Sequence, residues 1–245
     1  MSRYIAPGTI SSALDLVEYH VSDASPVDPN APPGYSERCI HSEIYKAYPA
    51  VNSVCHSHSE AVVPYAISGV PMHACYHMAG FLGTRTPVWD IANAYQDGDT
   101  KDMLVRNTRL GASLAESFAD TGNGGKPTGS EEEPPNSVVL MRGHGLSVCA
   151  KTIEDCVLRC VYTQKNAEIQ TTALLTRSAY YGSGGAGKAQ AEDEMYRPPI
   201  AGGLAVLSDE ESAAAKNMTL WSAHRPWRLW VREVEAAGMY VNLII

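Results

Sequence analysis

Apolar and polar positions repeat with different periods along this chain, and the changes of period mark its elements. Ile40, Ile44 and Tyr48 recur at helical spacing. They predict a helix opened by Ser36 as N-cap, with Glu37 in a first turn that favours negative charge, and ended by Pro49. The β-branched run at 51–58 predicts a strand, and 59–68 reads as a helix stopped by Gly69. Mostly apolar residues broken by Pro71, Gly80, Gly83 and Pro87 suggest short strands joined by tight turns over 70–88. Leu104, Leu110, Leu114 and Phe118 predict a helix over 102–118. A buried strand is expected at 137–141 and an apolar run at 146–150. Thr152 with Asp155 opens a helix that the spacing of Ile153, Val157, Cys160, Val161, Ala167 and Leu174 carries to 176. A last helix over 210–238 is interrupted near Pro226. Upstream, 3–8 reads as a short extended piece and 15–21 as a strand, while the proline-rich 22–35 is a loop.

Helices and strands that alternate in this way imply one α/β domain over 1–245. Alternation alone also permits a doubly wound parallel sheet. Two stretches, 119–136 and 181–203, are poor in apolar periodicity and dense in Gly, Pro and Glu or Ser, and they are expected to be flexible loops.

Composition narrows the partners. The chain has 245 residues, 44% of them hydrophobic, which is enough to bury a sizeable core. A net charge of −8 with scattered Lys and Arg argues against a nucleic-acid partner. Without a leader pattern or a long apolar run, the expectation is no membrane partner and a soluble, cytoplasmic protein with a small-molecule substrate. The six cysteines show no paired CxxC spacing and read as reduced thiols, Cys156 and Cys160 as small buried apolar residues.

The candidate chemistry lies in the strand at 51–58. Its side chains alternate faces with a period of two, so His56 and His58 project to one side and Cys55 and Ser57 to the other. Two histidines on one strand face can equally be half-buried polar residues. His144 alters the balance, because Gly143 and Gly145 flank it and leave its side chain unobstructed after a second buried strand. Three imidazoles with an open fourth position suit a catalytic metal. His73 and His77 read as core or edge residues, and Glu43 and Glu60 as surface carboxylates.

In the order Ser36-Glu37, His41-Ser42-Glu43-Ile44-Tyr45, His56-Ser57-His58 and Arg142-Gly143-His144-Gly145, the chain resembles the class II aldolase/adducin family from about residue 5 to residue 175. That resemblance implies a three-layer α/β/α fold with a mostly antiparallel central sheet. It implies His56, His58 and His144 as metal ligands and Glu37 as the catalytic carboxylate at the ion. Zinc is the default ion, with manganese, cobalt and iron open. A homotetramer with interfacial sites is implied as well. The sugar-phosphate enzymes of the family usually begin with two helices and an Asn/Gly strand, whereas few residues precede Ile5 here. Ala6 and Tyr35 stand where serines are common, and the block from Tyr76 to Gly83 looks closer to members acting on unphosphorylated or aromatic acids, including dihydroxyphthalate-type decarboxylases. The expected activity is a metal-dependent carbon–carbon lyase, decarboxylase or aldolase, acting through a metal-stabilised enolate on an unphosphorylated hydroxy- or keto-acid. A sugar-phosphate aldolase or epimerase and a non-catalytic adducin-like scaffold are the alternatives.

Overall fold

The computed structural model of the protein describes residues 1–119, 132–181, 200–201, 203–241 and 243. Isolated bridges join Ser2 to Leu16, Arg3 to Gly34 and Tyr19 to Pro26, and 3-10 turns occupy Pro7–Thr9 and Ala13–Asp15. The strand expected over 15–21 is not formed as a regular element. Asp15 folds inward to accept from the Ser11 and Ser12 amides, at 3.0 and 3.1 Å, and this local bonding competes with a ladder at the point where a strand would begin.

Helix α1 (Arg38–Ala47) has Glu37 rather than Ser36 as its N-cap. Glu37 makes no cap hydrogen bond, so its carboxylate is available to other partners. Glu43, expected at the surface, is buried where α1 is crossed close to Gly111, and it pairs with Lys46 Nζ at 3.0 Å. Strand β1 (Ser53–Ser57) and the short α2 (Val63–Ile67) follow. Over 70–88 the expected strands are largely replaced. His77–Leu82 winds as 3-10 helix, and only β2 (Val88–Trp89) is extended. The reason is side-chain competition: the Asn166 and Gln170 amides hydrogen-bond the backbone of Pro71, His73 and Cys75 in place of a neighbouring strand.

Helix α3 (Thr108–Glu116) starts later than expected because Asn107 caps it, accepting from Leu110 N–H at 2.9 Å. Strands β3 (Val138–Met141) and β4 (Gly145–Ala150) are joined by the turn that carries His144, and α4 (Ile153–Tyr181) runs past the expected end. A small ribbon of β5 (Ile200–Ala201) and β6 (Leu204–Ala205) precedes α5 (Asp209–Ser222), which a reciprocal Ser208/Glu211 box opens. The expected C-terminal interruption separates α5 from α6 (His224–Ala237), and Pro226 sits in the first turn of α6, where no intrahelical N–H is required. The two expected flexible loops lie largely outside the described residues. At their described edges, Glu133 pairs with Arg159 at 3.0 Å and β5 pairs with β6.

The sheet order is β1-β4-β3-β2, antiparallel except for the β2–β3 pair, which excludes a doubly wound parallel sheet. Alternation sends the two faces of each strand into two cores. Val138, Leu140, Leu146 and Val148 pack with α2, α4 and the 3-10 helix, while Val139, Met141 and Cys149 pack with α1 and α3. Removing each such side chain from water contributes roughly 1.5–3 kcal/mol. The result is three layers with β1 at the sheet edge. All six cysteines are free. Among the described residues no helix is long and apolar enough to cross a membrane.

Candidate metal centre

Two adjacent strand ends and one helix start deliver the four side chains. The β1–β4 register places His56 opposite Ser147, on the α1 side of the sheet. His56 Nδ1–H donates to the Leu146 carbonyl at 3.0 Å. His58 lies one residue beyond β1 and still converges on His56, as the period of two requires. His144 occupies the β3–β4 turn, where Gly143 adopts φ 63° and Arg142 is anchored by Asp90 at 2.6 Å. Glu37 approaches from the start of α1.

These residues meet at one point. The Nε2 atoms of His56 and His58 are 3.0 Å apart, and those of His58 and His144 are 2.8 Å apart. Glu37 Oε2 lies 3.5 Å from His56 Nε2 and 3.7 Å from His58 Nε2, while its Oε1 is 3.3 Å from His144 Nε2. Carbonyls accept only, so His56 carries its proton on Nδ1, as does His144, which donates from Nδ1 to the Met103 carbonyl at 2.9 Å. Both Nε2 atoms therefore present lone pairs to the same space. His58 has a single proton to give and cannot satisfy two nitrogens and a carboxylate together. A cation resolves the excess of acceptors. Three imidazole nitrogens bound at about 2.0–2.1 Å to one tetrahedral ion lie about 3.3 Å apart, within about half an ångström of the 3.0 and 2.8 Å spacings here. The cluster suits a divalent metal ion.

Burial is asymmetric. The side chains of His56, His144 and Glu37 are 11%, 7% and 15% exposed and that of His58 is 61% exposed, so the centre opens to solvent on the His58 side. Burial alone would raise the Glu37 pKa toward neutrality. Where His56 and His144 are protonated, the hydrogen bond from His56 and the charge of both rings, together with the Val105 N–H, outweigh it and hold Glu37 below the usual carboxylate range. Burial lowers His144, assisted by His56 and His58 and opposed by Glu37. His41, one helical turn beyond Glu37, is pushed down to about 4, first by burial and then by His56 and the N-terminal ammonium.

All four site residues expected from the sequence are thus brought together. His73 is not among them, since its Nδ1–H donates to the Thr84 carbonyl, and neither is His77, which packs against the Tyr76 ring. The segment around Met103 was missed. It supplies the carbonyl for His144 and a Val105 N–H at 3.5 Å from Glu37, and no glycine or charge pattern signals either contact.

An edge-strand histidine pair, a turn histidine and a helix-start carboxylate on a mostly antiparallel sheet form a cluster that suits a divalent metal. A family profile described as Class II Aldolase and Adducin N-terminal domain matches residues 8–171. The chain belongs to that family. It is 47% identical over 244 residues to decarboxylase tropJ of Talaromyces stipitatus, covering 99% of this chain and 84% of that protein. It is 29% identical over 173 residues to a 3,4-dihydroxyphthalate decarboxylase of Arthrobacter keyseri, covering 69% of this chain but only 59% of that protein. Among solved structures, L-fuculose 1-phosphate aldolase aligns over 89% of this chain and 77% of its own at 17% identity, with a TM-score of 0.55. An aldolase II superfamily protein from Pseudomonas syringae aligns over 94% and 75% at 20% identity, with a TM-score of 0.54. These structures establish the shared fold. Likeness to a decarboxylase along nearly the whole chain makes this protein a lyase within the family.

Proposed function

We propose that the protein is a metal-dependent decarboxylase that acts on an unphosphorylated hydroxy- or keto-acid at His56, His58, His144 and Glu37. The observation that carries this reading is the convergence of three imidazole nitrogens and a carboxylate, all within 4.8 Å of one another, on a point open to solvent. Likeness to two proteins named decarboxylases favours loss of carbon dioxide over aldol cleavage. The three Nε2 atoms would hold a divalent ion, which would supply Lewis-acid stabilisation of developing negative charge.

The chain's own groups do the rest. His56 and His144, with their protons fixed on Nδ1, keep their Nε2 lone pairs free for the ion they would hold. The solvent-facing side at His58 admits the acid. As the bond to the carboxylate breaks, its electron pair moves toward the neighbouring carbonyl, and the carbon it leaves needs a proton. Glu37, kept ionised by its neighbours, takes a proton from the substrate hydroxyl or from water and delivers it to that carbon. The turn around Ala6 and Tyr35 supports an unphosphorylated substrate, because the Tyr35 hydroxyl is already engaged with the Ile5 carbonyl.

Zinc is the ion this reading favours, although three imidazoles also accept manganese, cobalt or iron. A cytoplasmic homotetramer acting on a small molecule, without nucleic-acid or membrane partners, completes the reading, and light scattering that gave only monomer would contradict the assembly. Metal analysis is the direct test of the site. The protein should hold about one divalent ion per chain and the His56→Ala/His58→Ala variant none, and equal metal content in the two would end the proposal. Glu37→Gln should retain the ion and lose about 10²–10⁴-fold in kcat, whereas full activity would remove Glu37 from the mechanism.

A further inference from the structure

Met103 has φ 71° although it is not a glycine, and it is one of only two such residues among those described. Left-handed backbone at a side chain of this size is disfavoured and persists only where its surroundings enforce it. Several contacts do so here. The Tyr95 hydroxyl accepts the Met103 N–H at 3.0 Å. Asp102 accepts the Leu104 N–H at 3.2 Å and forms an ion pair with Arg106, which brackets the turn from both sides. The Met103 side chain lies beside Gly143, so that a Cβ there would stand 3.7 Å from its Cε.

The enforced turn serves the metal centre. Its Met103 carbonyl accepts from His144 Nδ1–H at 2.9 Å, and two residues later the Val105 N–H reaches Glu37 Oε1 at 3.5 Å. One short segment therefore offers an acceptor to the imidazole and a donor to the carboxylate. If Met103 relaxed to an ordinary negative φ, its peptide planes would rotate and the carbonyl would leave His144. The ring would then be free to carry its proton on Nε2, the atom that must be bare to bind a cation.

We propose that Tyr95 and Met103 are positioning residues: the Tyr95 hydroxyl locks Met103 in its left-handed turn so that the Met103 carbonyl fixes the proton of His144 on Nδ1. The part of this inference that concerns ion affinity rests on the proposed metal site, and the part that concerns the His144 tautomer does not.

The experiment compares wild type with Tyr95→Phe, Met103→Val and Met103→Gly by two readouts. The first is the 15N chemical shifts of His144 in metal-free protein at a pH where the ring is neutral. The second is cobalt(II) titration, followed by the visible absorption of the bound ion and by chelator competition. Tyr95→Phe removes the acceptor, Met103→Val places a β-branched residue where φ is positive, and Met103→Gly permits that φ without strain. Wild type and Met103→Gly should show the Nδ1–H tautomer and cobalt affinities within about threefold of each other. Tyr95→Phe and Met103→Val should show a mixture of tautomers, an altered cobalt spectrum and affinity reduced about tenfold or more. Should Tyr95→Phe fail to fold, the contrast between the two Met103 variants decides the matter alone. An Nε2–H tautomer in wild type, or wild-type tautomer and spectrum in the folded Tyr95→Phe and Met103→Val variants, would overturn the proposal. A wild type that bound no cobalt would refute the metal site instead, and the tautomer comparison would still decide the clamp.

Discussion

Gly145 stands where the end of β1 runs nearest to β4. A Cβ there would overlap the Ser57 carbonyl oxygen and stand 2.9 Å from His58 Cα, so a methyl group forces apart the two segments that carry His58 and His144. Overpacking of this kind costs about 1–3 kcal/mol. Gly145→Ala should therefore lower Tm and weaken zinc binding in the same protein, as read by thermal unfolding with and without added zinc; unchanged zinc affinity would show that the approach is not critical. The glycine pair around His144 was visible in the sequence as a sign of an unobstructed histidine, and the strand period gave the His56/His58 convergence directly. The charge state of Glu37 was harder to read. Its pKa depends on which of burial and neighbouring charge prevails, and that is decided by the distances to His56 and His144. Met103 gave no signal at all, since a methionine at positive φ is enforced by Tyr95 and Asp102 and not by its own preference.

At the scale of elements, the long repeats were legible and the short irregular pieces were not. The helical spacing in α1, α3 and α4 and the apolar runs of β3 and β4 report burial on fixed faces, which tertiary contacts only trim. Over 70–88 the apolar content was equally clear, but its backbone bonds go to side chains of α4, which lie far away in sequence. Arg159 shows the same dependence on distant partners. Its side chain is 1% exposed, it donates to the Cys149 carbonyl at 2.6 Å, and it pairs with Glu133 at 3.0 Å, tying α4 to β4 and to the segment before β3. Burial would raise the Glu133 pKa, but the Arg159 hydrogen bond and charge hold it below the usual carboxylate range. Arg159→Met leaves that carboxylate with the Lys151 N–H but without its buried cation, so it should destabilise the protein by about 3–5 kcal/mol in urea or thermal unfolding. A loss below 1 kcal/mol would show that the pair is not needed to join these elements.

For the molecule as a whole, the layered architecture followed from the family resemblance, whereas element alternation alone left parallel and antiparallel sheets open. Its stability should carry the mark of a histidine that the fold holds neutral. His41 titrates at about 4 in the fold against 6.5 when free. A base whose pKa is depressed on folding contributes stability that is fully present above its unfolded value and is lost as pH falls toward the folded value. The metal-free protein should therefore lose stability between about pH 6.5 and pH 4, and a folded His41→Asn variant should lose less over the same interval in thermal unfolding. Parallel pH profiles for the two would contradict the assignment of that loss to His41.

Carbon dioxide release reports the chemistry at this one point on the sheet edge. Metal-stripped protein, zinc-reloaded protein and reloaded Glu37→Gln would be supplied with a panel of unphosphorylated aromatic and aliphatic hydroxy- and keto-acids and, separately, with sugar phosphates. Carbon dioxide is expected from at least one of the acids with reloaded wild type, almost none from the stripped protein or from Glu37→Gln, and no cleavage of the sugar phosphates. Sugar-phosphate cleavage without carbon dioxide from any acid, or equal release by stripped and reloaded protein, would contradict metal-dependent decarboxylation at this site.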